Sequence, residues 1–396
     1  MKKNLLFVMP SLSAGGGEKS LINLLSQIDY NYYNVDLLLF HKEGLFLKLL
    51  PKHINIVDVP GEYKTFKQPL KHAVSKFIKN KKFLLAKTRI FFTLNNRIIK
   101  NKAKSEQYTW QYQRESMDIL QKEYDTAIGF LEKSSIYYIV DKVKAKRKIG
   151  WIHTNYTNSG MDPHFDKDYF NKLNQVVTVS QECANSLIEN FWEIKDKIKV
   201  IYNIVSPSLI SQLADTSNKD FIAPKQNEII LITIARLSHE KGIDIAIKTC
   251  EQLIDKGHNI VWYVIGEGNE RFKLEEMIKA KRLEDSFKLL GLKENPYPYI
   301  KNADIYIQPS RYEGKSIAID EAKILRKPIV VTNYESSKDQ IINGVNGLIV
   351  EMNEQGLSEG IEKIIKNEGL KRNFINYLSN EQLGTENEIE KLYEII

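Results

Sequence analysis

Ser310-Arg311-Tyr312-Glu313-Gly314-Lys315-Ser316-Ile317-Ala318-Ile319-Asp320-Glu321-Ala322 is the stretch around which this sequence is organised. An apolar run over 303–309 leads into it, and helix-forming residues continue to Lys327. A strand giving way to a helix puts Glu313 at the changeover and Glu321 about two helical turns further on. N–H groups from Gly314 to Ile317 would then stand at the positive end of a helix dipole, a place suited to a diphosphate. Glu321 would accept hydrogen bonds from hydroxyl groups of a bound ribose. By spacing alone, a surface helix with two solvated glutamates is the plainer reading. The neighbouring motifs change it.

Working outward, the second half alternates strands at 229–235, 260–265, 287–290, 303–309, 328–332 and 347–350 with helices at 242–257, 270–281 and 296–302. The first half does the same. Strands are expected at 5–8, 35–40, 54–57, 126–130, 148–152, 176–179 and 199–202, with a Gly-rich turn and a helix over 18–26 after the first. Between them, 205–227 has the Ser/Asp/Asn/Pro content of a linker. Alternation at this spacing means α/β architecture with parallel sheets covered on both faces, in two doubly wound Rossmann-like domains. Ligands bind such sheets at the carboxyl ends of their strands.

The 396 residues suffice for two cores, and 42% apolar with 27% charged residues is an ordinary globular composition. Only Cys183 and Cys250 occur, far apart and outside any Cys/His cluster, which disfavours a disulfide framework or structural zinc and fits a reducing compartment. The N-terminal apolar run is too short for a signal peptide, and no run reaches membrane-spanning length, so a cytoplasmic location is expected. The net charge of +7 is unevenly spread: 64–104 holds no Asp or Glu but many Lys and Arg, interleaved with Phe, Leu and Ile at helical spacing. Such a basic amphipathic insertion suits the surface of an anionic membrane, peripherally at the inner face of the plasma membrane. A core-packed helical pair with a solvated basic face reads equally well. No recognisable nucleic-acid module is present, so nucleic acid is not expected as a partner.

Four further features fall at expected strand ends. Gly15-Gly16-Gly17-Glu18 follows the first strand, where Gly16 and Gly17 let a ligand approach the backbone. It is not GxGxxG, and no acidic residue closes the second strand, which disfavours a nicotinamide cofactor. His153 lies just past a strand in Trp151-Ile152-His153-Thr154-Asn155, a place as suited to a structural histidine as to a functional one. Arg236 and Lys241 frame the loop Ala235-Arg236-Leu237-Ser238-His239-Glu240-Lys241-Gly242. Two cations there would neutralise a diphosphate and stabilise its departure, and cations at a helix start run against the dipole unless they have such a task. Gly266-Glu267-Gly268 follows another strand, where a flat base could lie on backbone. No DxD follows a strand, so no metal is expected.

Taken in order, Gly-Gly-Gly-Glu, a His after a strand, Arg-x4-Lys-Gly, Gly-Glu-Gly and Glu-x7-Glu resemble the retaining nucleotide-sugar glycosyltransferases of glycosyltransferase family 4. The resemblance covers nearly the whole chain and is most specific over 229–350. It implies a GT-B fold, two Rossmann-like domains facing across a cleft: 1–205 for the acceptor, with 64–104 inserted, and 206–378 for the donor. A tail over 379–396 would return to the first domain. It implies that Arg236 and Lys241 hold the donor diphosphate, that Glu313 contacts the sugar, and that Glu321 binds the ribose. Backbone N–H groups of Ser316 and Ile317 would meet phosphate or sugar oxygens, Gly266 would belong to the donor site, His153 would lie against the transferred sugar, and Gly16 and Gly17 would face the reaction centre. The donor would be a nucleotide diphosphate-sugar, UDP ahead of GDP, without a metal cofactor. The acceptor would be a saccharide or lipid-linked saccharide in cell-surface polysaccharide assembly. Many members carry Phe-Gly or a similar pair after the first Glu-Gly, where this chain has Lys315-Ser316, and sugar specificity stays open there. Competing readings are a nucleotide-sugar epimerase, an inverting GT-B transferase, and a catalytically idle membrane-surface scaffold.

Overall fold

Short β-branched and aliphatic runs separated by amphipathic helices pair as two parallel sheets in the computed structural model, which describes residues 2–13, 15–215 and 228–396. The first sheet contains Lys3–Met9 (β1), Tyr33–Leu39 (β2), Asn55–Val57 (β3), Leu120–Gly129 (β4), Val143–Ile152 (β5), Gln175–Thr178 (β6) and Ile198–Val200 (β7). Its order is β3-β2-β1-β4-β5-β6-β7. The second contains Ile229–Ile234 (β8), Ile260–Ile265 (β9), Phe287–Leu289 (β10), Ile305–Gln308 (β11), Ile329–Thr332 (β12) and Leu348–Val350 (β13), in the order β10-β9-β8-β11-β12-β13. Strand order therefore reverses between β1 and β4 and again between β8 and β11. These are the two switch points at which a doubly wound sheet leaves room for a ligand.

Alternating residues of the second sheet explain why its strands are apolar throughout. Leu231, Trp262, Val264 and Ile307 enter one buried cluster, while Ile230, Ile232, Val261 and Tyr263 enter another. Successive side chains point to opposite faces of a strand, so helices cover both sides. The chain forms two units. The first comprises Met1–Ser13, Gly17–Tyr202 and Asn387–Ile396, and the second Ala14–Gly16 and Asn203–Glu386.

Two boundaries differ from the sequence reading of 205/206 and 379. The chain enters the second unit at Asn203, because Val205 already exchanges bonds with Thr385: its N–H donates to Thr385 Oγ1 at 2.9 Å and its carbonyl accepts from the Thr385 N–H at 3.1 Å. Residues 379–386 stay with the second unit, and the returning segment begins at Asn387. There the helix Glu388–Tyr393 stacks Tyr393 on Tyr33 at 5.3 Å, and Lys3 Nζ donates to the Ile396 carbonyl at 2.9 Å. Of the expected linker, Pro207–Ala214 is helical and 216–227 lie outside the described residues.

The basic segment fills the β3–β4 connection with helices Tyr63–Phe66, Leu70–Lys79, Phe83–Ile98 and Lys102–Gln113. Phe66, Ala73, Phe77 and Ala86 make a small core of their own. The outer face of Phe83–Ile98 is different: Phe83, Leu84, Ile90, Phe91, Leu94 and Ile98 are between 40% and 73% exposed. The packed face fits the reading of a core-packed helical segment. Among the described residues, no helix is long and apolar enough to cross a membrane.

Candidate active site

In the second unit, the loops after β8 and β11 flank the switch point and are braced against each other. Gly242 ends the short turn His239–Lys241 with φ 64°, and a Cβ there would come within 2.0 Å of the Pro309 carbonyl oxygen. Glycine is therefore required by both conformation and space. Arg311 spans the same gap. Its Nη1 and Nη2 donate to the two carboxylate oxygens of Asp244 at 2.8 and 2.7 Å, and Nη1 also donates to the His239 carbonyl at 2.6 Å. This pairing holds Asp244 below the usual carboxylate range against the burial that raises it, and Arg311 above its own.

The brace positions an ion pair. Lys241 Nζ donates to Glu313 Oε2 at 2.5 Å, and the side chains are 21% and 9% exposed. Glu313 Oε1 accepts from Gln308 Nε2 at 2.9 Å and Ser310 Oγ at 2.7 Å. Gln308 is oriented in turn by Tyr306, whose hydroxyl donates to Gln308 Oε1 at 2.6 Å. Residues 306, 308 and 310 project from one side of the strand and its extension, so the period of two delivers three polar groups beneath Glu313. A carboxylate held by three donors in a sheltered site keeps one orientation.

Arg236 is exposed and makes no ion pair or side-chain hydrogen bond among the described residues. Its charge, with that of Lys241, helps hold Glu240 below the ordinary carboxylate range, although burial opposes this and the Ser238 hydroxyl contributes more. Glu321 is buried, with Oε1 accepting from the Tyr297 hydroxyl at 2.9 Å. Gly266 and Gly268 lie against the β8 loop, where a Cβ would meet Ala235 O at 1.9 Å and Leu237 O at 2.2 Å respectively. Their lack of side chains serves packing between adjacent loops.

One expectation needs correction. The helix after Glu313 spans Ile317–Ile324, so Gly314 and Lys315 precede it and Ser316 is its N-cap. The Ser316 N–H is already taken by Gln340 Oε1 at 2.9 Å, and Gln340 Nε2 returns bonds to Ser316 O and Asp320 Oδ1, each at 2.8 Å. A buried glutamine from a distant loop thus satisfies a donor that local sequence leaves open. Lys315 Nζ stands 3.9 Å from Asp320 Oδ2.

In the first unit, Gly17 and His153 come together at the carboxyl ends of β1 and β5. A Cβ on Gly17 would lie 2.9 Å from Leu131 Cδ2 and 3.8 Å from His153 Cγ, whereas Gly16 faces open space. The helix begins at Gly16, two residues before the expected start. His153 packs on Phe130 with ring centroids 5.0 Å apart, and its backbone N–H donates to Glu132 Oε2 at 3.2 Å. Burial pushes the imidazole down to about 3, against the opposing hydrogen bond to the Phe130 backbone. His153 is neutral at pH 7, and its buried Nε2 has no hydrogen-bond partner. Sequence reasoning missed Gln308, Ser310, Asp244, Arg311 and Gln340. The first two were legible as alternate polar residues in an apolar strand, and the others needed long-range pairing.

Comparisons with known proteins identify the fold. Among solved structures, HepE of Anabaena in complex with UDP and glucose superposes with a TM-score of 0.67 at 17% identity, covering 99% of this chain and 98% of that one. TarM of Staphylococcus aureus does so with a TM-score of 0.68 at 17% identity, covering 100% and 99%. The fold is GT-B. Residues 215–380, which lie in the second unit, match the family model for glycosyl transferases group 1. A poly(ribitol-phosphate) alpha-N-acetylglucosaminyltransferase of Staphylococcus aureus is 26% identical over 242 residues, 58% of this chain and 46% of that protein. An uncharacterized glycosyltransferase of Methanocaldococcus jannaschii is 24% identical over 200 residues, 48% of this chain and 49% of the relative. The chain spans about half the length of the curated relatives it matches.

Proposed function

We propose that this protein is a retaining glycosyltransferase that moves a hexose-type sugar from a nucleotide diphosphate donor, UDP ahead of GDP, to a hydroxyl of a lipid-linked saccharide in cell-surface polysaccharide synthesis. The observation that carries the reading is the Lys241–Glu313 pair, braced at the carboxyl ends of β8 and β11. In this reading the diphosphate sits against Lys241 and Arg236, and Glu313 meets the sugar while keeping Lys241 in place. Glu321 serves the ribose, which requires its bond with Tyr297 to open or share. The Ile317 N–H remains a donor for phosphate, and the Ser316 N–H does not.

The barrier to transfer is departure of the diphosphate as oxocarbenium character develops at the anomeric carbon. Fixed cations stabilise that charge without reorganising, and they do so without a metal. The bond from the anomeric carbon to the β-phosphate oxygen breaks, the acceptor oxygen bonds to the same face, and its proton passes to the departing phosphate. His153 is carried over as a contact of the transferred sugar. Support for that is a neutral imidazole whose bare Nε2 can accept a hydrogen bond from a sugar hydroxyl while staying uncharged beside the oxocarbenium centre. The related N-acetylgalactosaminyltransferase of Campylobacter jejuni, 24% identical over 209 residues, is named for a diphospho-undecaprenol-linked acceptor, which supports a lipid carrier here.

The test is product analysis by NMR after incubation with UDP-sugars, GDP-sugars and lipid-linked acceptors in EDTA. An α-linked product from an α-linked UDP donor is expected. A β-linked product, or turnover only with added metal, contradicts the mechanism. We further place the protein on the cytoplasmic face of an anionic membrane through the exposed apolar stripe of Phe83–Ile98, beside Lys79, Lys81, Lys87 and Arg97, which make no ion pair among the described residues. Co-sedimentation with phosphatidylglycerol vesicles, lost in neutral phosphatidylcholine and in Leu84→Glu/Phe91→Glu, is the expected result; binding indifferent to lipid charge opposes it.

A further inference from the structure

A second concavity lies wholly within the first unit. It has a volume of about 480 Å³, and Pro10, Phe40 and Ser134 bring the ends of β1 and β2 and the loop after β4 to its wall. The inserted helices close the other side. This is the carboxyl edge of the sheet at its switch point, and the volume is that of a small-ligand site. The Glu132–Ser134 stretch borders both this cavity and His153, through the Glu132 bond to the His153 N–H.

Its charge is one-sided. Lys67, Arg97, Lys100 and Lys102 line it against the single carboxylate of Glu106. That carboxylate is already occupied, by Lys133 Nζ at 2.6 Å and Ser134 Oγ at 3.1 Å. None of the four cations makes an ion pair among the described residues. Lys67 Nζ instead lies 5.9 Å from the ring centroids of Tyr63 and Phe92. Burial, and secondarily Lys67, hold His41 on the same wall below its ordinary value, so it stays neutral at pH 7. Cations gathered in a concavity without their own anions make a receptor for an external one: Arg97 offers a planar fork and the three lysines mobile point charges.

We propose that this cavity binds a phosphate group of the acceptor, so that the acceptor is a saccharide or polyol bearing a phosphate ester or diphosphate rather than a neutral sugar. The proposal rests on the transferase reading for the word acceptor, and on the cavity alone for phosphate recognition. Phosphate chemistry has two sources, the diphosphate of a polyprenyl-linked saccharide and the backbone of a polyol-phosphate chain. Either would leave the sugar or polyol hydroxyls beyond the phosphate directed along the Glu132–Ser134 edge.

The experiment titrates the full-length protein with a short synthetic glycerol-phosphate oligomer, with neutral phosphatidylcholine vesicles containing polyprenyl diphosphate, and with UDP. Each is repeated on Lys67→Gln/Arg97→Gln and on the rim variant Lys100→Gln/Lys102→Gln. One phosphate probe is expected to bind the native protein and to weaken roughly tenfold or more in each double variant, with UDP binding unchanged. The probe that binds identifies the source. If neither probe binds while UDP does, or if both variants bind them as the native protein does, the subsite is overturned. If UDP fails to bind but a phosphate probe binds and weakens in the variants, the cavity stands and the donor assignment falls.

Discussion

Lys241→Ala is expected to lower kcat/KM by about two to three orders of magnitude, the usual cost of removing a fixed charge that stabilises a transition state. The ammonium group has two tasks in the proposed site: it opposes charge on the leaving diphosphate and fixes Glu313 Oε2 at 2.5 Å. Its loss should be mild for folding, because Glu313 Oε1 keeps its bonds from Gln308 and Ser310. A partly sheltered pair broken in this way costs about 1–2 kcal/mol, a fall of a few degrees in the unfolding midpoint. Glu313→Gln separates the tasks. It leaves Lys241 free for phosphate but points an amide group into existing donors, so kcat should fall while the donor KM changes little. Steady-state kinetics beside thermal melts on both variants check this. A loss of stability without a matching loss of kcat would make the pair merely structural.

Gly242→Ala should destabilise the second unit by roughly 3–5 kcal/mol, the range reserved for core-like steric faults. The left-handed backbone at φ 64° costs an alanine only about 1 kcal/mol. The larger part comes from a Cβ placed 2.0 Å from Pro309 O, which forces the β8 and β11 loops apart. Gly257→Ala supplies the control: its φ of 86° is equally unfavourable, but open space surrounds the added atom. Its cost should therefore be only about 1 kcal/mol. The Gly242 loop also carries Lys241 and Asp244, so donor binding should fail with it at temperatures where the variant remains folded. Denaturant melts followed by nucleotide titration distinguish the two; equal costs at Gly242 and Gly257 would refute the loop-contact argument.

The strands were legible because a parallel sheet buried on both faces leaves apolar runs with little ambiguity, as in 229–235 and 260–265. Segment ends were less legible because tertiary bonds set them. Local sequence around Ser316 shows a helix start with open donors; it does not show that Gln340, remote in sequence, will cap one of them. The motif residues Arg236, Lys241 and Glu313 were readable from their positions at strand ends. That Lys241 would pair with Glu313 was not, since it depends on the crossing of two loops from strands that are neighbours only in space. The basic run over 64–104 announced a charged helical segment. Composition could not say that one face would pack, another remain apolar and exposed, and a third line a cavity.

The most direct test of the central claim is calorimetric titration of UDP and GDP into the native protein and into Arg236→Ala. Arg236 is exposed and without an ion pair among the described residues, so its removal should leave folding intact while subtracting a phosphate contact. The account predicts binding of UDP in preference to GDP, weakened roughly tenfold in the variant by the loss of one charge-assisted contact. No binding of either nucleotide to the native protein, or equal affinity in the variant, would contradict the placement of the donor diphosphate at the β8 and β11 loops.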